Sequence, residues 1–340
     1  MTTFTRRQFL AATAATLGTA TSFTHFALAD TASGGSSPYK GSINKARGIS
    51  FPTDAECERI KKAGYAGLEL SKWDASVEEG EAALQMSRKH GLRIHSVLLG
   101  WTAVDNPNSF DESIGKITKA LKTAAVYAAD TVLWVPCKVG GFPNPKIGKP
   151  GNGVEMPAAW EFDIDFDPAT LKVKSVVKDG NYDEYVRVQN TATEATIKAV
   201  EKLLPVAAYE GVRIGLENVW NNLWSTPKFY AALCNYFKSP WVGSYFDIGN
   251  HTMYADPVEW IKELGNENLF KLHIKGFKVS EVKGKLGGGP GDWSKIDESS
   301  IDWKAVRQTL SDINYNGWMT VEDDGRSMEE YSKVLDGIIG

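Results

Sequence analysis

From residue 46 onward, short runs rich in β-branched and aromatic residues alternate with longer segments whose apolar positions recur at helical spacing. Such alternation predicts parallel βα units rather than a sandwich of antiparallel sheets. The strand-like runs are, in order, 47–50, 67–70, 92–97, 131–135, 212–217, 242–247, 269–274 and 318–322. Helical spacing fills the intervals at 54–63, 77–90, 109–129, 183–209, 227–237, 257–264 and 303–310, and a last helix at 327–339 closes the chain. Several helices end on a glycine just before the next strand, as at Gly64, Gly91 and Gly211, where a residue without Cβ can take the left-handed C-cap. Eight strands, each followed by a helix, predict an α/β fold of the (β/α)8 TIM barrel type over residues 44–340. The stretch 136–182 after the fourth strand is aperiodic and rich in Pro, Gly, Lys and Asp. It reads as a long insertion over the barrel mouth rather than a second domain.

Composition narrows the class. Of 340 residues 42% are apolar and 24% charged, the balance of a packed globular protein. Lys and Arg number 38 against 42 Asp and Glu, a net charge of -4, so nothing draws the chain toward a polyphosphate and a dedicated nucleic-acid binder is excluded. Cys57, Cys137 and Cys234 are widely spaced and form neither a disulfide framework nor a Cys-x-x-Cys zinc site. Residues 1–29 pair Arg6 with Arg7, continue through an Ala- and Thr-rich apolar stretch and finish on Ala27-Leu28-Ala29. That order matches a twin-arginine export signal and predicts a periplasmic or secreted location. Residues 30–43, opening Asp30 to Pro38 with Gly and Ser, read as a linker. No other run approaches the roughly 18 apolar residues of a membrane span.

In a barrel of this type the chemistry lies at the C-terminal ends of the strands. Four of the expected ends carry ligand-type side chains: Glu217 (GLEN), Asp247 (FDIGN), His273 (KLHIKG) and Glu322 (TVEDD). Taken singly, Asp247 could be a helix N-cap and His273 a buried histidine with a backbone partner. Together, three carboxylates and an imidazole converging on one axis are costly unless a cation neutralises them. One divalent metal resolves this, and an O3N donor set suits Mn2+ first, with Mg2+, Co2+ or Zn2+ as alternatives.

The strand order and this quartet resemble the xylose isomerase-like superfamily of sugar isomerases and epimerases, over about residues 44–340. The resemblance implies a divalent metal held by Glu217, Asp247, His273 and Glu322, with Glu217 and Glu322 also transferring the proton. It further implies a small carbohydrate substrate and, since barrels of this superfamily often form dimers or tetramers, a homo-oligomer. The chemistry agrees. Isomerisation or epimerisation removes a proton beside a carbonyl, and a metal on the carbonyl and its neighbouring hydroxyl stabilises the enediolate.

The substrate side departs from the ketose 3-epimerase and hydroxypyruvate isomerase pattern. Where those members place a His and an Arg, this chain has Asn250 and Val279, with His251 one position later and Lys275 two residues after His273. Asn250, His251, Lys275, His95, Glu69 and Trp101 are the substrate-binding candidates; Lys275 reads as a donor to hydroxyls, and Trp101 as a face for sugar C–H groups. These departures keep a second outcome open. A lyase or hydrolase of 3-keto-glycosides or keto-inositols would use the same proton abstraction. The Gly287-Gly-Gly-Pro290 loop could fold over a ligand but lacks the context of a phosphate loop.

Overall fold

The computed structural model describes residues 38–340 apart from Asp324, so the expected export signal and most of the linker lie outside the described residues. Eight parallel strands close into a barrel: β1 (Ile43–Ile49), β2 (Gly67–Leu70), β3 (Arg93–Trp101), β4 (Thr131–Val135), β7 (Arg213–Leu216), β8 (Val242–Asp247), β9 (Leu269–Ile274) and β12 (Gly317–Val321). Within the insertion, β5 (Asp165–Phe166) and β6 (Val173–Ser175) pair as a small ribbon, and after β9 a second ribbon joins β10 (Gly276–Val279) to β11 (Gly291–Ser294). Each ring strand hydrogen-bonds its neighbours in the order expected of a (β/α)8 barrel, and β12 closes on β1 with Ile43 opposite Gly317.

Alternation along each strand sorts side chains between two layers. In β4, Leu133 and Val135 point inward and meet Tyr245, whereas Val132 and Trp134 join the larger core between barrel and helices. The helix 110–126 offers that core Ile117, Ala120, Leu121 and Ala124, the i, i+3, i+4, i+7 stripe of an amphipathic helix. Helix ends follow the local chemistry. Ser76 and Glu79 form a capping box at one start, and Gly211, at φ +67°, ends the long helix Asp183–Glu210 by the left-handed route.

The structure departs from the sequence reading at three places, the first being β1, which runs Ile43–Ile49 rather than 47–50 and so begins inside the expected linker. Strand β3 continues to Trp101 instead of stopping at Val97; its register slips between Leu98 and Gly100, where Gly100 takes φ +74°. A glycine that resembles a strand end is therefore a bulge. The insertion is tied to its surroundings: Val139 N donates to Asn221 O (2.9 Å) and Gly291 N to Pro145 O (3.0 Å). The β10–β11 ribbon had no separate signal, and it carries Trp293 to the mouth.

Candidate metal centre

Each ligand-type side chain is placed by the end of its strand. Asp247 closes β8 and caps the short helix Ile248–Thr252: its Oδ1 accepts from Asn250 N at 2.9 Å. Capping therefore occupies one oxygen and leaves Oδ2, which among the described residues has no aligned hydrogen bond, available to a further partner. Glu217 follows β7, anchored by its N–H to Trp134 O (3.0 Å), and its Oε1 accepts from Asn250 Nδ2 at 3.2 Å. His273 stands opposite Asp247 in the β8–β9 register. Its Nε2 is 2.7 Å from Glu69 Oε1. Glu322 leaves β12 with its N–H on Ile274 O, and its carboxylate is partly open to solvent.

Ligand atoms of Glu217, Asp247 and His273 all lie within 4.8 Å of one another. Three donors each about 2.1 Å from one ion stand about 3.0–3.6 Å from one another, so the widest pair of the trio must close by about an ångström or more to grip one ion. Two buried atoms of the trio lack an aligned hydrogen bond among the described residues. Asp247 Oδ2 has only the Lys275 ammonium at 3.0 Å, and His273 Nδ1 only Glu322 Oε2 at 3.2 Å. With Glu69 holding Nε2, Nδ1 is the imidazole atom left for an ion, the usual arrangement of a carboxylate behind a metal-binding histidine. The buried trio Glu217, Asp247 and His273 therefore fits a divalent cation, while Glu322, expected as the fourth ligand, stands beside the trio and outside it, half-exposed with Oε2 on His273 Nδ1.

The electrostatics report the same crowding of acids. Burial, reinforced by Asp247 and Glu322 and opposed by His273, pushes the Glu217 carboxyl up to about 8. Burial also raises Asp247, although Lys275 works against it. Burial would raise Glu322 too, but His273 and Lys275 outweigh it and hold this carboxyl well below the usual range. Burial disfavours a charged His273, yet Glu69 and Glu322 lift it well above an ordinary imidazole.

The substrate-binding candidates separate into groups. His95 does not reach the mouth: with β3 extended it sits low in the barrel, stacked on Trp318 at 4.6 Å and 3.0 Å from Thr320 Oγ1. Burial holds it neutral, well below the usual imidazole range. His251 is turned away as well, packed on Phe246 and Trp260 with its nitrogens on Asp247 O and Asn218 Oδ1. Asn250 is buried against Asp247 and Glu217 and orients them. Glu69 is likewise enclosed, accepting from Ser96 Oγ at 2.7 Å and from the Tyr245 hydroxyl. An acid inside the apolar run Gly67-Leu68-Glu69-Leu70 was the available signal for this supporting role.

Lys275 and Trp101 stay at the opening. Lys275 Nζ contacts Glu322 Oε2 at 2.6 Å, and Trp101 is 40% exposed, edge-on to Phe142 of the insertion. Trp134 and Trp224 are buried in the core, whereas Trp220 stacks on Trp293 at 4.7 Å. A cavity of about 360 Å³ beside the centre is lined by Arg47, Ser50, Glu69, Ser71, Leu98 and Glu322, among others. That is within the small-molecule range.

Comparison with known proteins agrees with this architecture. The profile of the xylose isomerase-like TIM barrel family matches residues 57–337. A D-tagatose 3-epimerase-like protein superposes with a TM-score of 0.62 at 17% identity, over 87% of this chain and 97% of its own. The IOLI protein with a bound zinc atom superposes at 0.59 and 16%, over 87% and 96%. At such identities the likeness is one of fold. An uncharacterized protein of Methanocaldococcus jannaschii, MJ1311, is 26% identical over 127 residues, and the match spans 36% of this chain and 41% of that relative. The matched span, the closed eight-stranded ring and the position of its acidic strand ends lead to one conclusion: the chain belongs to the xylose isomerase-like TIM barrel family.

Proposed function

We propose that this protein is a divalent-metal-dependent isomerase or epimerase of a small carbohydrate, with Mn2+ as its ion and Glu217 and Glu322 as the proton-transferring pair. The observation that carries the reading is the convergence of Glu217, Asp247 and His273, all buried, at the C-terminal ends of consecutive ring strands, with two of their atoms left without aligned hydrogen bonds. When bound, the ion polarises the carbonyl and offsets the negative charge that grows on its oxygen as the neighbouring carbon loses a proton.

The chain's own groups supply the rest. In the ring, β8 and β9 separate β7 from β12, so Glu217 and Glu322 approach the centre from opposite flanks. A carboxylate on one flank takes the proton and the glutamate on the other returns one, which inverts the carbon. Asn250 keeps Glu217 and Asp247 in position, and Glu69 does so for His273. Lys275 donates to substrate hydroxyls, and Trp101 offers its exposed face to the C–H side of a sugar.

The test is a panel of free ketoses and oxidised glycosides in deuterated water with the Mn2+-loaded protein. Isomerisation or epimerisation with deuterium entering the product, reduced in Glu322→Gln, supports the reading. Full turnover by that variant sinks it, and release of an aglycone from a 3-keto-glycoside assigns the protein to lyase chemistry. The Arg6-Arg7 pattern adds export to the proposal. Cell fractionation of wild type against an Arg6→Lys, Arg7→Lys double variant tests it, and equal periplasmic yields would contradict it.

A further inference from the structure

Lys275 occupies an unusual place for a residue that only greets substrate. Its ammonium lies 3.0 Å from Asp247 Oδ2 and 2.6 Å from Glu322 Oε2. The Asp247 atom is the oxygen left over from helix capping, and the Glu322 atom is the one 3.2 Å from His273 Nδ1. The lysine thus grips two of the oxygens that a divalent ion would take. Its stem is seated by the backbone beside it. A Cβ on Gly249 would lie 2.3 Å from Lys275 Cγ and 2.7 Å from its carbonyl oxygen, so a glycine two residues after Asp247 is what allows the chain to lie there. A place to retreat exists too, since the Trp293 ring centroid is 5.5 Å from the ammonium and aromatic faces attract cations at that range.

We propose that Lys275 is a built-in counter-cation that holds Asp247 and Glu322 in the metal-free protein and must be displaced for a divalent ion to complete its ligand set. This rests on the metal site described above. An ion about 2.1 Å from these oxygens and an ammonium at hydrogen-bond distance from the same atoms repel one another across a few ångströms. Metal uptake is therefore an exchange of cations rather than the filling of an empty cup. The exchange has two consequences. The metal-free barrel keeps its acidic centre compensated and folded, and the metal is bound less tightly than the ligand set alone would bind it.

The experiment titrates Zn2+ and Mn2+ into the metal-stripped full-length protein by calorimetry, for wild type, Lys275→Met, Lys275→Gln and Lys275→Arg, with melting curves of each metal-free form. Removing the charge is expected to tighten metal binding by about ten-fold or more and to lower the melting temperature of the metal-free protein. Lys275→Arg, which keeps the charge, is expected to bind as wild type does. Unchanged or weaker metal binding by the Met and Gln variants would overturn the exchange while leaving the metal site intact. Absence of metal binding in all four proteins would overturn the site itself, and binding only in the uncharged variants would keep the competition but remove the metal from the native function.

Discussion

The barrel has two clusters of ionisable side chains, one at each end, and they are built on opposite principles. At the N-terminal ends of the strands Asp130 is surrounded by cations. Arg93 (2.9 Å), Arg213 (3.1 Å) and the buried Lys271 (2.8 Å) all reach it, and Thr131 Oγ1 donates at 2.7 Å. Despite burial, those cations hold Asp130 well below the usual carboxylate range, while burial pulls Lys271 down to about 8. At the C-terminal end, among the described residues, the acids are in excess: Glu69, Glu217, Asp247 and Glu322 outnumber the cationic groups paired with them, His273 and Lys275. There Asp247 Oδ2 and His273 Nδ1 lack aligned hydrogen bonds. Buried charge by itself therefore does not mark a site. What distinguishes the mouth is an acid surplus with donor atoms to spare, which a divalent cation would satisfy.

Substitutions can break this contrast. The largest effect is expected at the mouth, where Glu322→Gln should lower kcat by about 10²–10⁴-fold, the usual worth of a positioned acid or base, with the melting curve of the metal-free protein little changed. A stability loss without a rate loss would move Glu322 to the structural class. Next, Asp130→Ala leaves Lys271 buried and unpaired and should cost about 3 kcal/mol of stability, toward the low end for a broken buried pair because Asp130 is partly exposed. Its metal content should match wild type. Loss of metal there would mean that the two ends are not independent.

Two smaller effects sharpen the picture. Glu69→Ala removes the carboxylate behind His273 and should weaken metal binding by about 10–100-fold, measured by calorimetry; an unchanged affinity would make Glu69 a barrel-lining group only. The smallest concerns His95. Burial lowers its folded-state value well below the ordinary 6.5, so the unfolded chain binds the proton first and stability should fall as pH drops below about 6.5. His95→Phe, which keeps the stack on Trp318, should flatten part of that fall in pH-dependent melting. An identical slope would show that His95 does not titrate on unfolding.

Much of this was legible along the chain because strand ends are local features. The runs 67–70, 131–135, 242–247 and 269–274 coincide with β2, β4, β8 and β9; Asp247 and His273 lie in the last two, and Glu217 and Glu322 directly follow β7 and β12. Depth inside the barrel was harder to read. Alternation says that a side chain points inward but not at which level, and the level of His95 depends on the register slip between β2 and β3 and on the bulge at Gly100. His251 lies on a single turn of helix too short to show periodicity, so only packing against Trp260 reveals its direction. The partnership of Glu69 with His273 joins residues 204 positions apart, a distance that no pattern in one sequence spans.

The most direct test of the central claim is the metal content of the purified protein beside Asp247→Ala and Glu217→Gln. One equivalent of a divalent ion, Mn2+ before Co2+, Mg2+ or Zn2+, in the wild type and its loss in both variants is the predicted result. No metal in the wild type after reconstitution, or equal metal in all three proteins, would contradict an ion held between β7 and β12.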